Sequence, residues 1–140
     1  MTPFVSALLA SLCWGFAPFF EKAGLRSTSN PTVGVFARSL GVIVGTACLI
    51  PFFPKLGSQL AEIPPRSFFF LCIGGVLASV VGQAFFYHAL KYGEMSRSVA
   101  IGASYPVIAC ILGLVIWKEP LTLTKALGVL CVAAGVTLLR

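Results

Sequence analysis

Apolar residues run along this chain in stretches of about twenty, broken by short polar interruptions. Strand-like alternation and the narrow stripe of a soluble helix are both missing. A bilayer core about 30 Å thick takes about 20 apolar residues to cross as a helix. Five stretches meet that length: 3–20, 32–53, 67–90, 98–117 and 121–139. Charges or helix breakers bound each one: Glu21-Lys22, Pro54-Lys55, Pro64-Pro65-Arg66, Lys91, Arg97, Lys118-Glu119-Pro120 and Arg140. The pattern therefore predicts an all-α membrane protein of five transmembrane helices. The connections are too short for a soluble domain, so residues 1–140 read as one domain. Pro18 is expected to kink the end of the first helix. Tyr92 and Trp117 fall at helix ends, where amphipathic aromatics meet the bilayer surface. Met1-Thr2-Pro3-Phe4 lacks the cations of a signal-peptide start, so this segment is read as part of the structure.

Composition agrees with the pattern. Hydrophobic residues make up 58% of the 140 and charged residues 10%, well below the quarter usual in water-soluble domains. The net charge of +6 comes from ten Lys and Arg against four Glu, with no Asp. These cations stand singly between apolar runs and form no patch that could follow a phosphate backbone, so nucleic acid is not an expected partner. Cys13, Cys48, Cys72, Cys110 and Cys131 all lie inside apolar runs, with no C-x-x-C spacing, and read as small packing residues.

Charge leaves the orientation open. Lys22, Arg26, Lys91, Arg97 and Arg140 fall on one side of the predicted topology, and Lys55, Arg66, Lys118 and Lys125 on the other. Orientation follows the excess of cations, and five against four is nearly no excess.

Catalytic groupings are missing from the pattern. One His, no Asp and four dispersed Glu give no metal cluster, triad or carboxylate pair, and no phosphate-binding glycine loop occurs. No enzyme, metal or cofactor is expected. Polar and aromatic residues inside the spans are the remaining candidates. Arg38 lies about 9 Å into the second helix, and Trp14, Gln83 and Tyr105 fall at similar depth from the same side. An ionisable group inside a membrane usually faces a bundle interior or aqueous cavity, which makes this layer a candidate solute site. Arg38 could equally snorkel to headgroups, Gln83 could bridge helices, and Trp14 could be packing. Tyr87 and His88 lie within a turn of the surface, where an anchoring role competes with a functional one. Pro106 frees a backbone carbonyl near Gly102 that could kink the fourth helix or meet a solute. Gly34, Gly41 and Gly45 share a face with Arg38 and would let a neighbouring helix approach closely.

These residues together resemble an EamA domain of the drug/metabolite transporter superfamily. Trp14-Gly15 followed by Lys22, Arg38, the run Tyr87-His88-Ala89-Leu90-Lys91-Tyr92-Gly93, Tyr105-Pro106-Val107, and Trp117-Lys118-Glu119-Pro120-Leu121-Thr122 with Gly128 and Gly135 match the family's motifs in order. The resemblance implies one five-helix half of a ten-helix fold in a cell (inner) membrane. It also implies a secondary transporter for a small metabolite, amino acid or drug-like solute, working by alternating access. Trp14, Arg38, Gln83, Tyr87, Tyr105 and Pro106 are the expected substrate-binding residues. Most relatives join two such halves in inverted orientation, so a homodimer is expected, and the near-even charge count permits an antiparallel one. The alternative is a non-transporting membrane subunit that modulates another membrane protein.

Overall fold

The computed structural model describes residues 2–139; Met1 and Arg140, the latter counted above among the cations, lie outside the described residues. Among the described residues the fold is all-helical. Four helices are long and apolar enough to cross a membrane: Pro3–Leu25, Pro31–Phe52, Pro65–Tyr92 and Met95–Val115, of 23, 22, 28 and 21 residues. A further apolar helix, Leu123–Leu138, has 16 residues, about 24 Å of rise against a hydrocarbon core of about 30 Å.

The chain divides into two compact units that meet between Tyr92 and Gly93. The first holds α1 (Pro3–Leu25), α2 (Pro31–Leu49) continued by a 3-10 turn at Ile50–Phe52, the short α3 (Leu56–Ala61), α4 (Pro65–Val76) and α5 (Gly82–Tyr92). A π-helical turn at Leu77–Val81 joins α4 to α5. Proline opens α1, α2 and α4, positions whose N–H would have no intrahelical partner in any case. Asn30 caps α2, its side chain accepting from the Thr32 N–H at 2.9 Å. α1 continues through Pro18, which is buried. Proline has no N–H to give the carbonyl of Trp14 one turn earlier.

The first unit is built on α5, against which α1 and α2 both pack. Its core is small: Leu25, Val35, Tyr87 and Leu90 are buried, with Ala84 and Phe86 packed against them. Gly34 is needed at this crossing, because a Cβ there would stand 2.7 Å from Leu25 Cδ2 and 3.0 Å from the Tyr87 ring. Gly41 and Gly45, on the same face further along α2, have open space beside them. Most large apolar side chains, such as Phe36, Phe85 and Phe69, are exposed in the isolated chain. A bilayer solvates such surface without penalty.

The second unit holds α6 (Met95–Gly102), α7 (Tyr105–Val115) and α8 (Leu123–Leu138). The helix breaks after Gly102, and Pro106 stands in the first turn of α7, where a proline is favourable. Rather than kinking a continuous helix, this proline helps restart one. Lys118 takes a left-handed backbone (φ 51°), which returns the Glu119 N–H to the Gly113 carbonyl at 3.1 Å. Thr122 then caps α8, accepting from the Lys125 N–H at 3.3 Å. The five cysteines are free, and Cys13, Cys48, Cys72 and Cys131 are exposed in the isolated chain, where packing was expected.

Candidate solute site

Three side chains from α2 and α5 converge on Glu21 of α1. The Arg38 Nε–H meets Glu21 Oε1 at 3.3 Å, and Gln83 Nε2 donates to the same oxygen at 3.2 Å. The Tyr87 hydroxyl completes the group, within interaction range of Glu21, Gln83 and Arg38. Local sequence explains each placement. Glu21 is one turn before the end of α1, and Arg38 is seven residues into α2, so the tight turn between the two helices brings them to similar depth. Gln83 and Tyr87 are four apart and share a face of α5. The π turn just before them inserts one extra residue, with the Gly82 N–H reaching back to the Leu77 carbonyl, and so resets which face α5 turns inward.

The group is enclosed but not saturated. The Glu21 side chain is 15% exposed and that of Arg38 31%. Arg38 Nη1 is buried with no hydrogen-bond partner among the described residues. A guanidinium offers five donors, and a buried one left unmade is energetically unfavourable. The cluster thus combines a fixed anion, a fixed cation with a spare donor, an amide and a phenol. It can exchange hydrogen bonds with a small polar solute while its own two formal charges cancel.

The residues expected from sequence divide into three sets. Arg38, Gln83 and Tyr87 come together, and Tyr87 is an interior residue rather than a surface anchor, at 3% exposure. Trp14 lies on the same face of α1 as Glu21 but two turns deeper, and is 65% exposed. Because α1 reaches Leu25 and not Phe20, Trp14 stands about 16 Å from the helix end. Tyr105 and Pro106 belong to the second unit, in the opening turn of α7, with Tyr105 exposed. Glu21 was not expected in the site. It read as a boundary charge, although an acid and a base at matching depth on two hairpin-linked helices were a usable signal for pairing.

A larger cavity, about 440 Å³, lies in the second unit between α7 and α8. Its only charges, Glu119 and Lys125, pair with each other at 3.3 Å and leave mainly apolar walls such as Leu114 and Val129. Among the described residues no group of His, Cys, Asp and Glu could hold a metal ion.

The model of the EamA-like transporter family matches residues 1–140. An uncharacterized transporter in the cobO 3′ region of a Sinorhizobium species is 28% identical over 135 residues, covering 95% of this chain and 92% of that protein. An uncharacterized protein of Methanocaldococcus jannaschii is 25% identical over 139 residues, covering 99% of this chain and 96% of that protein. No solved structure matches the chain.

Proposed function

Because this chain belongs to the EamA-like transporter family, we propose that it is a carrier moving a small organic solute across a cell membrane by alternating access, as a dimer. The observation that carries this reading is the unsaturated polar cluster of Glu21, Arg38, Gln83 and Tyr87 inside membrane-spanning helices. Charged groups at such depth are expensive and are expected to face a solute pathway. Arg38 and Gln83 contact the solute directly, Tyr87 borders it, and Glu21 holds the guanidinium in place between transport events. Trp14, exposed on the same face of α1, forms the deeper wall. Tyr105 and Pro106, at the helix break of the second unit, are the proposed solute contacts there, and Pro106 has no N–H to give the Gly102 carbonyl one turn earlier. The dimer part of this reading rests on a general transporter design, in which the solute pathway lies between two inverted repeats of one fold.

The test is flux with the purified chain alone in liposomes, screened over amino acids, organic acids and amphiphilic cations. Transport by the chain without any other protein is expected. It should fall at least tenfold in Arg38→Ala, with Arg66→Ala unchanged. Flux that survives Arg38→Ala would remove the cluster from the pathway, and no flux for any solute would remove the carrier reading.

A further inference from the structure

α1 and α5 end side by side, and each supplies a lysine that caps the other. Lys22 Nζ donates to the Leu90 carbonyl at 2.7 Å, near the end of α5. Lys91 Nζ donates to the Leu25 carbonyl at 3.1 Å, to the Thr28 carbonyl, and to Thr28 Oγ1 at 3.4 Å, at the end of α1. The exchange holds both ammonium groups beside the same small cavity, about 140 Å³, lined by Lys22, Leu25, Arg26 and Lys91. Arg26 is the third cation. It is exposed and makes no hydrogen bond or ion pair with any described residue.

Among the described residues no carboxylate lines this cavity. Glu21, the neighbouring acid in sequence, turns its carboxylate to Arg38 and Gln83. The partial negative charge of two helix C-termini offsets about one unit of the three positive charges. The remainder is an uncompensated positive site with one guanidinium whose donors are all unused. Its depth is set by the spans: Leu25 and Tyr92 are the last residues of the helices that cross the membrane. The Tyr92 ring, 4.8 Å from that of His88, marks the same interface.

We propose that this end of the first unit binds the phosphate of an anionic phospholipid headgroup. Arg26 takes the phosphate oxygens in a fork, the geometry guanidinium groups favour. Lys22 and Lys91, already fixed by the caps, contribute charge without moving. The lipid thereby clamps α1 to α5 at the level of the headgroups, one turn from the Glu21–Arg38 pair. Basic pockets between transmembrane helices are suited to such headgroups.

The full chain, purified in a neutral detergent, is titrated with short-chain phosphatidylglycerol or phosphatidylcholine, and the thermal unfolding midpoint is followed. Phosphatidylglycerol is expected to raise the midpoint saturably, with phosphatidylcholine inert. Arg26→Gln should weaken the apparent affinity about fivefold, the loss of one cation near an anionic surface. Because Arg26 has no structural partner, the variant retains the fold. Arg26→Lys should recover part of the loss, and Lys55→Gln, at the other end of the unit, should change nothing. Equal effects of the two lipids, or of the Arg26 and Lys55 variants, would overturn the site. Inorganic phosphate reproducing the full shift at equal concentration would reassign it to a free anion and overturn the lipid. Flux in neutral-lipid vesicles is a separate readout, so failure here leaves the solute site standing.

Discussion

A carboxylate and a guanidinium held 3.3 Å apart between membrane-spanning helices stabilise the fold only as a pair. Removing one partner strands the other in a medium that solvates it poorly. Glu21→Gln and Arg38→Gln should each lower stability by about 2 kcal/mol, below the 3–5 kcal/mol of a fully buried pair because Arg38 keeps some exposure. The double variant should lose distinctly less than the sum, since two neutral amides can hydrogen-bond where two charges stood. Unfolding by denaturing detergent in mixed micelles measures this cycle, and additive single effects would show that the pair is not energetically coupled. At this scale, depth counted along helices put Arg38 and Gln83 in one layer, but it added Trp14 and Tyr105, which do not join the cluster, and left Tyr87 nearer the surface. Glu21 was hidden because a charge beside an apolar run looks like a boundary. Its actual partners, Arg38 and Gln83, lie 17 and 62 residues away in sequence, and no local pattern announces them.

Helix ends carry the same lesson at the level of elements. The apolar pattern stops at Phe20, whereas α1 continues through Glu21 and Lys22 to Leu25, because both charges find tertiary partners. The π turn at Leu77–Val81 is equally silent in the sequence, where its residues read as ordinary helix. The reciprocal lysine caps are the interactions that fix these ends. Lys91→Met leaves the Leu25 and Thr28 carbonyls without their ammonium donor and should destabilise the first unit by about 1–3 kcal/mol. Hydrogen exchange should quicken at the end of α1, around residues 25–29, more than in the middle of α2. Lys91→Arg, which keeps the charge and the donors, should recover most of the loss. Protection unchanged in Lys91→Met would mean that water serves the α1 terminus as well as the lysine does.

For the whole molecule the proposed antiparallel dimer turns on orientation, and the charge count bears on it directly. Five cations against four give almost no orientational bias. An antiparallel dimer would need that balance, since it requires chains inserted both ways. The three cations at the shared end of α1 and α5 give a handle on it, because Arg26 alone among them caps nothing. Arg26→Gln with Ser27→Gln removes one charge from the larger side, and adding Lys beside the exposed Lys55 raises the other, so the balance tips to four against five. Arg26 kept with Ser27→Lys tips it to six against four. Reporters at the C-terminus, one active only in the cytoplasm and one only outside, should both be active for the unaltered chain and should favour opposite sides for the two variants. Transport should then be poor with either biased variant alone and return when the two are produced together. A single orientation for the unaltered chain, or full transport by one biased variant alone, would overturn the antiparallel dimer.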